Sequence, residues 1–130
     1  MLFMDYEHEV FFWKKAKELD ILGDVERMSL VYLLSLSRNC RDRFERCYDV
    51  KNRCGRANVL EESWPTSTDR KAIRLGFNLF NWGAPTTEHM GDKRKIRELE
   101  FYLPTEIFST TYAPYFWQAI QIRFPEYCAL

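Results

Sequence analysis

At 130 residues, with 46% hydrophobic and 16% aromatic side chains, the chain is long and apolar enough to build its own core, which excludes disorder as its main state. Nineteen basic residues balance nineteen acidic ones, so neither the cationic surplus behind nonspecific phosphate binding nor the acidic surplus of a DNA mimic is present. No segment approaches the ~20 apolar residues of a membrane span, and the start, MLFMDYEHEV, lacks the pattern of a secretory leader. A cytoplasmic setting with reduced thiols is the expectation.

Asp5 to Leu19 reads as a first helix. Tyr6, Val10 and Trp13 stand at spacings of four and three, Phe12, Ala16 and Leu19 widen the apolar arc, and Lys14, Lys15, Lys17 and Glu18 form the wet side. Gly23 breaks the pattern, and Asp24 suits an N-cap because its carboxylate can accept from free backbone N–H groups. Val25 to Leu36 is apolar over most of its circumference and reads as a buried second helix. Asn39 is the expected cap of a third, over about Cys40 to Tyr48, where Cys40, Phe44, Cys47 and Tyr48 share one face. Asp49 to Ser63 follows as a loop, with turn signals at Asn52 and Gly55 and a short turn at Val59–Leu60.

The segment Trp64 to Gly83 carries the strongest signal. Thr66 and Asp69 fit a capping box, Gly83 suits the stop, and the helix between is apolar on nearly every side except a stripe at Arg70, Arg74, Asn78 and Asn81. Beyond it lie a loop at Ala84–Gly91, an amphipathic helix over Asp92–Tyr102, an interruption at Pro104 and a short helix at Glu106–Phe108. A last helix opens at Pro114, buries Phe116, Ala119, Ile120 and Phe124, and ends at Pro125. The expected fold is all-α: a compact single-domain bundle of residues 1–130, about five helices around the central apolar helix Thr66–Trp82.

Chemistry-bearing motifs are few. Cys40, Cys47 and Cys54 are seven residues apart, whereas structural zinc sites favour closer pairs. Two turns of continuous helix would separate Cys40 from Cys47 by about 10.5 Å, so buried free thiols and no metal are expected. His8 and His89 read as surface or rim histidines, and Phe12 stands where a second histidine would complete a zinc-protease motif. Nucleophile-elbow and phosphate-loop motifs are missing, so no catalytic residue and no cofactor are assigned. Ser37 to Arg56 holds seven basic residues against three acidic ones; Arg38, Arg41, Arg43, Arg46, Arg53 and Arg56 form a candidate basic surface for an acidic partner. Trp82, Tyr115 and Trp117 are the rings available for base stacking beside it.

The polar stripe is the other candidate. Polar groups on an apolar helix must be paired or face a cleft, so Arg74, Asn78 and Asn81 either link helices or receive a ligand.

Asp24-x-Glu26-Arg27 followed by Leu30-Val31-Tyr32-Leu33-Leu34-Ser35, then Tyr48-Asp49, Trp64-Pro65-Thr66, Arg74-Leu75-Gly76-Phe77-Asn78-Leu79-Phe80-Asn81 and Ala119-Ile120-Gln121-Ile122-Arg123-Phe124, form a spaced pattern. It resembles a family of small proteins from Gram-positive bacteria, their phages and other mobile elements, classed as a domain of unknown function. The likeness runs from about His8 to Phe124, with Trp82 where the family pattern has glycine. It implies that Asp24, Arg27, Arg74, Asn78 and Asn81 are marked residues and implies no catalytic activity. A pairing of Asp24 or Glu26 with Arg74 is the expected link between the second helix and the central one. The leading expectation is a non-enzymatic interaction protein, a phage or mobile-element factor that binds a host protein, including a defence component. The alternatives are a nucleic-acid-binding regulator using the 38–56 segment and a small enzyme or ligand-binding domain with a cleft at Arg74 and Asn78.

Overall fold

The computed structural model describes residues 1–82 and 103–128, without the side chains of Asn81 and Trp82. Gly83, the Ala84–Gly91 loop, His89 and the Asp92–Tyr102 helix lie outside the described residues. Within them the fold is mostly helical, with eight α-helices, a 3-10 segment, a π turn and one two-stranded antiparallel sheet. No helix there is long and apolar enough to cross a membrane.

Helix α1 spans Tyr6–Glu18 and is capped by Asp5, whose carboxylate accepts from the His8 N–H at 2.8 Å. Its inward face is His8, Phe12 and Ala16, at i, i+4 and i+8. Tyr6, Val10 and Trp13, expected inside, are exposed. Periodicity alone could not choose between these two stripes. The N-terminal segment decides, because Phe3 folds back over His8, Phe12 and Tyr32 at ring distances of 5.2, 5.7 and 5.9 Å.

Helix α2 spans Val25–Leu34, capped by Asp24 as expected. Ser29 to Leu34 is buried without a break, and α1, the Ser67–Phe77 and Ala113–Arg123 helices and the π turn Asn78–Trp82 all pack on it. Among the described residues the hub is therefore α2 rather than Thr66–Trp82. Arg41 closes its C-terminal end by donating to the Ser35 and Leu36 carbonyls at 2.9 and 3.1 Å.

The expected third helix is two short ones, α3 (Arg38–Asp42) and α4 (Phe44–Cys47), broken at Arg43. Ser37 rather than Asn39 is the cap. Asn39 instead donates to Asp69 at 3.1 Å. The break carries Cys47 back against Cys40, whose thiol hydrogen-bonds it and pushes its pKa up. The two-turn separation expected of a continuous helix does not apply. All four cysteines are free thiols; Cys40 and Cys47 are buried, Cys54 and Cys128 half-buried.

The expected loop contains a hairpin, β1 (Tyr48–Asp49) paired with β2 (Cys54–Gly55), and a 3-10 turn over Ala57–Glu61. Arg53 takes the positive φ (57°) in the hairpin loop. Gly55 serves close approach instead, since a Cβ there would stand 2.5 Å from the Phe77 ring.

Helix α5 (Ser67–Phe77) begins with the expected capping box and runs into the π turn Asn78–Trp82. Gly76 lets it approach α2; a Cβ there would meet Leu30 Cδ1 at 2.8 Å. Asp69 does more than cap. It accepts from the Thr66 N–H at 3.0 Å and from Asn39, and it is buried. Thr66→Ala should cost about 1 kcal/mol, the usual loss of a cap. Asp69→Ala should cost about 2 kcal/mol because it also strands two donors. Urea unfolding of both variants checks the ranking, and equal losses would remove the Asn39 link from the account.

Pro104–Ile107 forms α6, Ala113–Arg123 forms α7 with Pro114 in its first turn, and Pro125–Cys128 forms α8. Pro125 thus ends one helix and starts another, consistent with its fit at a first helical position.

Candidate functional site

The α5 stripe divides into different environments. Ser67, Arg70, Lys71 and Arg74 stand at i, i+3, i+4 and i+7, so one face of the helix carries them. With Glu106 of α6 they line a cleft of about 270 Å³. Arg74 is only 7% exposed. Arg70 is committed to architecture: its guanidinium donates to the Leu60, Glu62 and Pro65 carbonyls and ties the 3-10 segment to α5. Lys71 faces Glu106 at 3.6 Å. Asn78 donates to the Arg74 carbonyl one turn back, at 3.2 Å, where the α-helix widens into the π turn. The Asn81 side chain lies outside the described residues.

The acidic start of α2 has other partners than the expected Arg74. Asp24 meets Arg27 at 3.4 Å, and Glu26 meets Arg123 at 3.3 Å. Arg123 also donates to the Leu79 carbonyl at 2.6 Å, so it clamps α7 to both α2 and the π turn. Sequence reading matched this residue only as part of a pattern. Its spacing from Glu26 and Leu79 holds no local signal.

The basic segment is largely neutralised within the chain. Arg38 pairs with Asp42 at 3.5 Å, Arg41 with Glu7 at 3.1 Å and Arg46 with Glu62 at 2.5 Å. Arg56 reaches Asp49 at 3.6 Å and the Glu45 carbonyl at 2.9 Å, while Arg43 lies over the Trp64 ring at 5.3 Å. Arg53 sits in the hairpin loop. Glu62 also accepts from the Trp64 indole at 2.7 Å. These bonds, Arg46 foremost, hold the Glu62 carboxyl below its ordinary range. Arg46, Arg56, Glu45, Asp49 and Glu62 line a second cleft of about 720 Å³, whose walls alternate in sign.

His8 is the largest departure from expectation, fully buried rather than at the surface. Its Nδ1 accepts from the Met4 N–H at 3.1 Å, which leaves the proton on Nε2 to be donated to the Tyr32 carbonyl at 3.0 Å. Burial pushes its pKa down to about 4, against smaller opposing effects of the Tyr32 carbonyl and Asp5. The Tyr32 hydroxyl in turn donates to the Leu2 carbonyl at 2.5 Å. A neutral histidine whose two nitrogens both hold backbone is a structural lock.

With the inward face of α1 assigned to His8, Phe12 and Ala16, the outer face is left apolar. Tyr6 is 79%, Val10 45% and Trp13 43% exposed. The N-terminal segment extends this surface: Phe3 packs on Trp13 at 6.2 Å, and the Leu2 N–H donates to Gln118 at 2.6 Å, beside the exposed Trp117. Tyr115 is turned inward, 6.3 Å from His8. Of the three rings expected to form a stacking platform, Trp117 alone is exposed among the described side chains. No cluster of three or more metal-ligating side chains occurs among the described residues.

The model of a family of unknown function, DUF6075, matches residues 1–130, and the chain belongs to that family. No curated protein and no solved structure matches the chain.

Proposed function

We propose that this member of a family of unknown function is a non-enzymatic interaction protein that docks on a protein partner through the outer face of α1. The observation that carries the reading is the exposure of Tyr6, Val10 and Trp13, a stripe patterned like a core face yet turned to solvent. Exposed large apolar side chains gathered on one element mark interaction sites, and tryptophan and tyrosine are the usual anchors of such interfaces. The resemblance to proteins of phages and mobile elements makes a host protein, including a defence component, the class of partner proposed. A nucleic-acid reading through residues 38–56 has less support, since five of the six arginines there already hold a carboxylate, carbonyl or ring of this chain.

Affinity capture from a native host lysate, read by mass spectrometry, tests the proposal. The wild type should recover a partner, and Tyr6→Glu with Val10→Glu should weaken its capture at least 30-fold, the equivalent of about 2 kcal/mol at an interface anchor. Both side chains are exposed, so the variant should keep its stability within about 0.5 kcal/mol per site. Recovery of no partner, or of the same partner equally by both proteins, removes the α1 docking face.

A further inference from the structure

We propose that in the free protein the outer face of α1 is covered by a second copy of this chain, as an antiparallel α1–α1 pair about a twofold axis near Val10. The inference rests on the same face as the docking reading and adds its regulation: self-association closes that face, so a host protein has to displace the second copy. Charge decides the occupant. Glu7 and Glu9 lie in the first turn of α1, and Lys14, Lys15 and Lys17 lie in its second half, where Glu18 is held by Lys15 at 3.2 Å. An antiparallel copy sets each acidic half against a basic half, whereas a parallel copy sets like on like. Opposed helix dipoles act in the same sense. A twofold interface has to be self-complementary, and this charge order along α1 is.

The register follows from spacing. An axis at the middle of the Tyr6–Val10–Trp13 stripe sets Val10 against its counterpart and Tyr6 beside Trp13 of the second copy. Glu7 and Lys14 each follow a stripe residue by one position, so both lie on the same flank of the stripe. A twofold antiparallel pair brings that flank against itself, and Glu7 of each copy meets Lys14 of the other. Glu7 is open to this contact: its side chain is 74% exposed, although Arg41 holds its Oε2. Area supports the same occupant. At about 150–250 Å² for a full ring side chain, the exposed fractions of Tyr6, Trp13 and Trp117 leave about 350 Å² bare. A standard interface covers about 800 Å² per partner, of which about 65%, or about 520 Å², is apolar in homodimers. Met1, Leu2 and Val10, each about half exposed, supply much of the remainder.

The test is sedimentation of the purified protein over a micromolar concentration series. The wild type should reach the mass of two chains rather than 15.7 kDa. Val10→Glu places two like charges at the axis and should leave a monomer. Lys14→Glu and Glu7→Lys should each weaken the dimer tenfold or more. An equimolar mixture of those two variants should regain the dimer, because every Glu7–Lys14 contact then joins opposite charges again. Glu7→Lys also loses its Arg41 contact, but a folding defect would not be cured by adding the second variant. A monomeric wild type, a dimer that survives Val10→Glu, or a mixture no tighter than its components would each overturn the pairing. Because no host protein is present, these outcomes are separate from those of the lysate capture: failed capture leaves the dimer mass unchanged, and a monomer leaves the docking reading standing.

Discussion

Lowering the pH from 7 to 4.5 is expected to remove about 2–3 kcal/mol of folding stability through His8 alone, taking ~1.36 kcal/mol per unit of pKa difference. The folded protein holds His8 neutral, with its pKa lowered to about 4 chiefly by burial, whereas the unfolded chain titrates near the ordinary value of about 6.5. Between those values the unfolded state binds the extra proton. Stability from this source is therefore complete above about pH 6.5 and is lost as pH falls toward 4. A proton forced onto Nδ1 would turn an acceptor into a donor opposite the Met4 N–H, so the segment ahead of α1 should be the first part to loosen. Urea unfolding of wild type and His8→Gln across this range isolates the effect. The carboxyls of Asp49 and Glu62, lowered mainly by Asn52 and by Arg46 respectively, lose their contribution only at lower pH and do so in both proteins. If the two proteins show the same pH slope between 6.5 and 4.5, His8 is not the lock described above.

Gly55→Ala should destabilise the protein by about 2–3 kcal/mol, the upper range for overpacking a filled core. Its Cβ would stand 2.5, 2.8 and 3.0 Å from three atoms of the Phe77 ring, and that ring is fully buried, so it cannot swing into solvent. Phe77→Ala should cost about 3–5 kcal/mol through loss of burial and the cavity left behind. The informative variant joins Gly55→Ala to Phe77→Leu. If the methyl group and the ring compete for one space, the double variant should be more stable than the sum of the single losses by about 1–2 kcal/mol. Simple additivity in equilibrium unfolding would show that the hairpin yields instead of the ring.

The parts of the fold that were legible in the sequence are those whose causes are local. Asp24, Thr66 with Asp69, and Pro114 mark helix starts because a cap or a fixed φ acts within one turn. The apolar run of α2 announces burial whatever its neighbours are. Half of the candidate site was legible for the same reason: the spacing of Arg70, Arg74 and Asn78 assigns them to one side of a helix. The break at Arg43, by contrast, splits a run with good helical spacing, and Cys40 and Cys47 on either side of it meet.

Sequence by itself determined the helical class, the main helix starts, the two buried helices and the absence of any familiar catalytic motif. Tertiary structure alone decided which of two apolar stripes on α1 faces inward, because both have helical periodicity and only the fold-back of Phe3 over His8 selects between them. It also decided the partners of the charged groups. Glu26 meets Arg123 across 97 residues, and Arg46 meets Glu62 across 16. Ion pairs depend on distance in space, and no local pattern encodes a contact made only when separate elements pack.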